Sequence, residues 1–382
     1  MESTIKIAKE EITNALKTYL EKNDAGEYRI PAMGRLPIYL YGLPGIGKTE
    51  IVQQVAEEAG VGYVSFSLTH HTRNSLLGLP VIRELPDGRK YTEFTMSEII
   101  ASVEKASNSG HKEGILMLDE FNSVSDTVLP TMLAFLQTKN IGEYTRPAGW
   151  VIMLAGNPVE YNSSAKALDM ALLDRVRKIE IEFNSDVFLE YAESKCFHPA
   201  IIGYIQNNPS DCYLMKPDAK NPEAVTARGW ENLSRTLYAM DDIGIAVTEN
   251  LVAQFIKSDR IVYQFMDYLT LLSVGCSQSD IEIIVTLGKK MDDYAEKWRD
   301  LPETTLWLLA DHFYRFIIAT KDRGKDYRKA FDNVFLFLDK LGNRMVTERA
   351  FGKVNQNKEL VMDLALSKNT TYLRLCKEIL NS

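Results

Sequence analysis

"LYGLPGIGKTE", residues 40–50, decides how the rest of the chain reads. Gly42, Gly47, Lys48 and Thr49 stand at the spacing of a phosphate-binding loop, in which a glycine-rich bend aims backbone N–H groups at phosphate oxygens. The loop needs an apolar strand before it and a helix after it, because the pocket is built from a strand end and a helix N-terminus together. Leu36, Ile38, Tyr39, Leu40 and Tyr41 supply the short apolar run of a buried parallel strand. Ile51, Val52, Val55, Ala56 and Ala59 follow at helical spacing, and Gly60 stands where a C-terminal stop is expected. The expected phosphate contacts are therefore Gly42, Pro44, Gly45, Ile46, Gly47, Lys48, Thr49 and Glu50.

The whole chain has 382 residues, 45% of them hydrophobic and 25% charged, enough for about two or three domains. Its net charge of −8 disfavours general binding to nucleic acid and shifts the expectation toward protein partners. Cys196, Cys212, Cys276 and Cys376 form no CxxC pair, so a zinc knuckle or disulfide framework is not expected. The opening stretch MESTIKIAKEE has no apolar core of signal-peptide length, and no stretch is long enough to cross a bilayer; the expected compartment is the cytosol.

Residues 3–22 place Ile5, Ala8, Ile12, Ala15, Leu16, Tyr19 and Leu20 on one helical stripe. Strand patterns at 36–41, 63–68, 115–118, 151–155 and 176–183 alternate with helical ones, which predicts a parallel sheet covered on both faces. Two hairpins interrupt the alternation. One turns at Asp87-Gly88 between Val81-Ile82 and Tyr91 to Phe94; the other, in "KNIGEYTRPAGWVIML", is expected to turn near Pro147-Ala148-Gly149. Thr95 and Glu98 have the spacing of a capping box opening the next helix. After Phe183 helical patterns dominate. The expected division is a leading helix at 1–26, an α/β nucleotide-binding core at 27–184, a helical lid at 185–245 and a helical C-terminal domain at 246–382.

Phosphoryl transfer to water needs a metal ion, an oriented nucleophile and charge stabilisation, of which the loop supplies only part. "GILMLDEFN" ends an apolar strand in Asp119 and Glu120: Asp119, with Thr49, suits a magnesium shell, and Glu120 suits polarising the attacking water. "WVIMLAGNP" ends in Asn157, whose amide can donate to a phosphate oxygen and accept from a water. Adjacent His70 and His71 read as loop residues, since neighbouring side chains rarely face one ion and no third ligand lies nearby.

This order of motifs resembles the AAA+ ATPases, and among them the MoxR-like group. The resemblance covers roughly residues 30–240 and rests on "GLPGIGKT" as Walker A, "ILMLDE" as Walker B, "AGNP" as sensor 1, "ALLDRVRKIEIE" as the arginine-finger region and "TARGWENLSR" as sensor 2. It implies ATP with Mg2+ as cofactors and Lys48, Glu120, Asn157 and Arg175 as catalytic residues. Arg175, with Arg177 as competitor, would reach the nucleotide of a neighbouring subunit in a homo-oligomeric, hexameric ring, and Arg228 would reach the γ-phosphate of its own subunit. The hairpins resemble the helix-2 insert and presensor-1 hairpin of that group, which face the ring pore. MoxR-like proteins often act with a von Willebrand type A domain, and none is evident here, so such a partner would be a separate chain.

The resulting expectation is magnesium-dependent ATP hydrolysis coupled to remodelling, assembly or metal insertion of a client protein. The alternatives are an ATP-gated scaffold that needs no turnover and a DNA-acting AAA+ motor, the latter disfavoured by the acidic balance.

Overall fold

Alternation of apolar side chains along each strand sets the layers of the α/β unit. In the computed structural model, which describes residues 2–162, 164–167, 170–218, 222–276, 278–322 and 326–380, Ile115 and Met117 point to one face of the sheet and Leu116 and Leu118 to the other, all fully buried. The elements run β1 (Glu2–Thr4), α1 (Ile5–Leu20), β2 (Ile38–Gly42), α2 (Lys48–Ala59), β3 (Gly62–Ser67), α3 (Arg73–Leu77), β4 (Pro80–Glu84), β5 (Lys90–Phe94), α4 (Glu98–Asn108), β6 (Gly114–Asp119), α5 (Leu129–Thr138), β7 (Asn140–Ile141), β8 (Tyr144–Thr145), β9 (Trp150–Gly156), α6 (Met170–Leu173) and β10 (Arg177–Glu182). Six of the strands form one parallel sheet in the order β1-β10-β2-β9-β6-β3. Helices α1 and α2 cover the face carrying Ile38, Leu40, Ile115 and Met153, while α4 and α5 cover the face carrying Tyr39, Leu116, Leu118 and Leu154. The α/β class with a doubly covered parallel sheet is thus observed.

The alternation of strand ends positions the chemistry. Strand β9 lies between β2 and β6, so the loops leaving the carboxyl ends of all three emerge side by side, β2 and β6 being separated by about 10 Å. Crossovers through helices make these ends point the same way, which is where open α/β sheets bind ligands.

Four details bear on the sequence expectations, three of them as corrections. Residues 2–4 form a strand rather than the start of the leading helix, pairing in parallel with Glu180–Glu182 and extending the sheet by one edge. The second hairpin turns at Gly142-Glu143, between Ile141 and Tyr144, because Gly142 takes the positive φ (61°) and Pro147 has no N–H to close a ladder. Helix α4 is capped by Ser97, whose hydroxyl accepts from Ile100 N at 3.3 Å; Thr95 is already used, accepting from Leu79 N at 2.9 Å. The first hairpin, by contrast, turns at Asp87-Gly88 as expected, with Val81 opposite Glu93 and Ile82 opposite Thr92.

Beyond β10 come α7 (Ser185–Ser194), α8 (Pro199–Asn207), a short hairpin of β11 (Leu214–Lys216) and β12 (Glu223–Val225), and α9 (Ala227–Ile243). The hairpin interrupts the region 185–245 that the sequence reads as a helical lid. The chain divides into two compact units, Met1–Ile245 with Phe255–Ser258, and Ala246–Gln254 with Asp259–Ser382. The short return segment belongs with the first unit: Lys257 and Ala224 exchange backbone hydrogen bonds at 2.9 and 3.1 Å. The second unit is helical and is held by an aromatic core that includes Trp298, Phe313, Phe331, Phe335 and Phe337, all fully or almost fully buried. Among the described residues no helix is long and apolar enough to cross a membrane.

Candidate functional site

The phosphate loop leaves β2 at Gly42 and closes on α2, where Gly47 occupies the N-cap in a left-handed conformation (φ 95°) that a side chain would resist. Capping without a side chain leaves the first N–H groups of α2 free for an anion, and the helix dipole favours negative charge there. Gly45 is required twice: its φ is 73°, and a Cβ would stand 2.9 Å from Cβ of Thr226, the N-cap residue of α9. The same loop is tied from the other side by Tyr213, whose hydroxyl donates to Pro44 O at 2.9 Å.

Lys48 reaches back under this loop. Its ammonium donates to Gly42 O (2.9 Å), Leu43 O (2.7 Å) and Asn157 Oδ1 (2.8 Å), and the residue is only 7% exposed. Burial lowers its pKa to about 8; Asp119 opposes the shift and Arg228 adds to it. Thr49 Oγ1 donates to Asp119 Oδ2 at 2.6 Å, placing the hydroxyl and the carboxylate expected of a magnesium shell in direct contact. Among the described residues no three His, Cys, Asp or Glu cluster as a metal cage. A hydroxyl and one carboxylate beside a phosphate loop fit magnesium, which takes its other ligands from phosphates and water.

Glu120 sits one residue past β6 with φ 55°, a left-handed backbone that costs a non-glycine residue about 1 kcal/mol or more. Its carboxylate accepts from Ser67 Oγ (2.7 Å) and Thr69 Oγ1 (2.8 Å), at the end of β3. Asn157 is held by Asn122: Asn157 N donates to Asn122 Oδ1 at 3.2 Å, and Asn122 Nδ2 donates to Asn157 O at 2.7 Å and Lys166 O at 3.2 Å. The fit is close enough that a Cβ on Gly156 would come within 2.1 Å of the Tyr39 hydroxyl and 2.5 Å of Asn122 Oδ1.

Pro44, Gly45, Ile46, Gly47, Lys48, Thr49, Glu50, Asp119, Glu120, Asn157 and Arg228 all line one cleft of about 570 Å³. Gly42 contributes its carbonyl to Lys48. Beyond the polar end the wall turns apolar, with Ile5, Phe183, Val187, Phe188 and Tyr191. Arg175 and Arg177 do not line it. Arg175, two residues after α6, donates to Ala171 O, whereas Arg177 is committed within its own chain, donating to Tyr19 OH at 3.4 Å and lying over that ring at 5.9 Å. His71 contacts Ser75 Oγ at 3.3 Å and packs edge-on to Phe66, in keeping with a loop role.

Sequence reasoning missed Ser67, Thr69, Asn122, Tyr213 and Thr226. The first four are polar residues whose partners are remote in sequence, and no local pattern distinguishes them from turn chemistry; Thr226 is readable as the N-cap of α9, but its approach to Gly45 is not.

Residues 38–184 match a protein-family profile, the ATPase family associated with various cellular activities (AAA). No curated protein sequence matches the chain. Similar solved structures include three of RuvB from Thermotoga maritima. Two are point-mutant forms, each giving TM-score 0.38 at 14% identity and covering 76% of this chain and 80% or 81% of theirs. The third, described as the Holliday junction branch migration motor, gives 0.36 at 14%, covering 76% and 80%.

Proposed function

We propose, from the premise that residues 38–184 form an ATPase domain of the AAA family, that the chain is a magnesium-dependent, MoxR-like ATPase whose ring assembly remodels or assembles a client protein. The observation that carries this reading is the convergence of Lys48, Thr49, Asp119, Glu120, Asn157 and Arg228 on one cleft. Backbone N–H groups of the loop and the α2 terminus bind the phosphate oxygens, and Lys48 supplies a positive charge to the β- and γ-phosphates. Thr49 and Asp119 would hold a magnesium ion, which would supply charge neutralisation to the phosphates when bound.

Asn157 orients the attacking water against the γ-phosphate and Glu120 accepts its proton. Arg228 sits at the start of α9, so its contact with the γ-phosphate couples the lid to the nucleotide state. The apolar wall of Phe183, Val187 and Tyr191 suits the flat ring of a base. Arg175 completes the pocket of an adjoining copy; Arg177 suits that role less, being engaged with Tyr19. The client, including any von Willebrand type A domain protein, is a separate chain.

The decisive experiment is Glu120→Gln. Turnover should fall about 10²-fold or more while ATP binding persists, and the trapped form should retain a client in affinity capture. Unchanged turnover would end the assignment of Glu120 as the base. The hold of Ser67 and Thr69 on Glu120 favours a second reading, an ATP-gated scaffold with the base withheld. A cellular role that survives Glu120→Gln would select it.

A further inference from the structure

At the opposite end of the sheet from the cleft, where β2 and β9 begin, three cationic side chains are buried together. Arg35, Lys139 and Arg146 are 3%, 4% and 3% exposed. Arg35 runs into β2, Lys139 ends α5, and Arg146 joins β8 to β9, so three separate segments bring them there. The two guanidinium groups converge on consecutive carbonyls: Arg146 Nη1 donates to Pro147 O at 2.9 Å and Arg35 Nη1 to Ala148 O at 2.7 Å. Arg146 N also donates to Lys139 O at 3.1 Å, closing the base of the β7–β8 hairpin.

Among the described residues no carboxylate pairs with any of the three, and Arg35 Nη2 and Arg146 Nε are buried with no hydrogen-bond partner. Lys139 Nζ donates only to Leu136 O. Glu113, whose charge reaches Arg35, is engaged by Lys22 at 2.6 Å and by the Tyr28 hydroxyl at 3.0 Å, and the Tyr28 ring stacks under Arg35 at 4.3 Å. The cations repel one another as well: burial and then Arg35 lower the Arg146 pKa to about 10, and burial and then Arg146 lower that of Lys139 to about 8. Buried charge without a counter-charge is strongly unfavourable, and an orphaned buried N–H asks for an acceptor. Water can satisfy the N–H groups but cannot neutralise the charge. An oxyanion does both, and guanidinium forks bind it with charge-assisted hydrogen bonds.

We propose that Arg35, Lys139 and Arg146 form a second anion site, remote from the phosphate loop, for a small oxyanion of the phosphate class. Its occupant ties the base of the β7–β8 hairpin to the start of β2, so filling the site stiffens the hairpin.

The test is calorimetric titration of inorganic phosphate into the full chain with the phosphate loop filled by magnesium and a non-hydrolysable ATP analogue. Saturable binding near one phosphate per chain is expected, weakened about tenfold or more in Arg146→Met and in Arg35→Met. Absence of phosphate binding with the cleft filled would overturn the site, as would an affinity in both variants equal to that of the native chain. If the variants do not fold, the native chain decides with sulfate, which does not titrate near neutrality. Its affinity should fall as pH rises from about 7 to 9.5 and Lys139 loses its proton, and a level affinity would overturn the proposal.

Discussion

Replacing Asn122 with alanine removes the side chain that fixes the loop after β9. Three hydrogen bonds go with it, to Asn157 N, Asn157 O and Lys166 O, and the residue is 5% exposed, so water replaces them poorly. At about 1 kcal/mol net for each bond the loss is about 3 kcal/mol. With a urea slope of about 3 kcal/mol/M, that moves the unfolding midpoint of the nucleotide-binding unit down by about 1 M. Asn122→Asp sharpens the test, since it keeps the volume and the acceptor for Asn157 N but sets a carboxylate oxygen where the amide nitrogen now lies 2.7 Å from Asn157 O. Aspartate should therefore rescue nothing relative to alanine at neutral pH. Turnover should drop in both, because Asn157 loses its fixed orientation, while ATP affinity changes by less than about threefold. A midpoint shift in Asn122→Ala equivalent to less than about 0.5 kcal/mol, or an aspartate variant as stable as the native chain, would refute the reasoning.

Other outcomes follow from the same geometry. Lys48, lowered to about 8 in the free chain, is drawn back to its charged form by phosphate; calorimetry in buffers of different ionisation enthalpy should find about half a proton taken up per nucleotide at pH 8 and about a tenth at pH 7. Because its folded value lies below the ordinary lysine value, the nucleotide-free chain gains stability from this group only as pH rises through about 8 toward 10.5, and a thermal series across that window checks the sign. Arg175→Ala should lower turnover about 10³-fold in the assembled state, and mixing it with Glu120→Gln subunits should recover part of the rate; no recovery would argue against action across a subunit boundary. Gly156→Ala should destabilise by about 1–3 kcal/mol, read from denaturant melts, since its methyl group would meet the Tyr39 hydroxyl and Asn122.

What the sequence made legible is what is local. The strand, loop and helix around Lys48 are specified by contiguous residues, and the sheet follows from apolar runs whose spacing needs no partner to be recognised. Asp119 and Asn157 were readable because each ends such a run. The spacing of Thr95 and Glu98 suits a capping box, but the contact from Leu79 N occupies the Thr95 hydroxyl and Ser97 caps the helix instead. Residues 2–4 escaped because three residues make no periodic signal; they are a strand only because β10 offers an open edge. The supports of the site were the least readable. Ser67 meets Glu120 across 53 positions, Asn122 meets Asn157 across 35, and Tyr213 meets Pro44 across 169.

The three bonds of the Lys48 ammonium have a further bearing on affinity. With every N–H already committed to Gly42, Leu43 and Asn157, an arriving nucleotide competes with the protein's own oxygens for the lysine. Measured affinity is then the difference between two solvations of one cation, and weakening an internal rival strengthens ground-state binding without adding a ligand contact. Asn157→Ala should accordingly lower KM and kcat together, so that a variant slower at turnover holds its substrate harder.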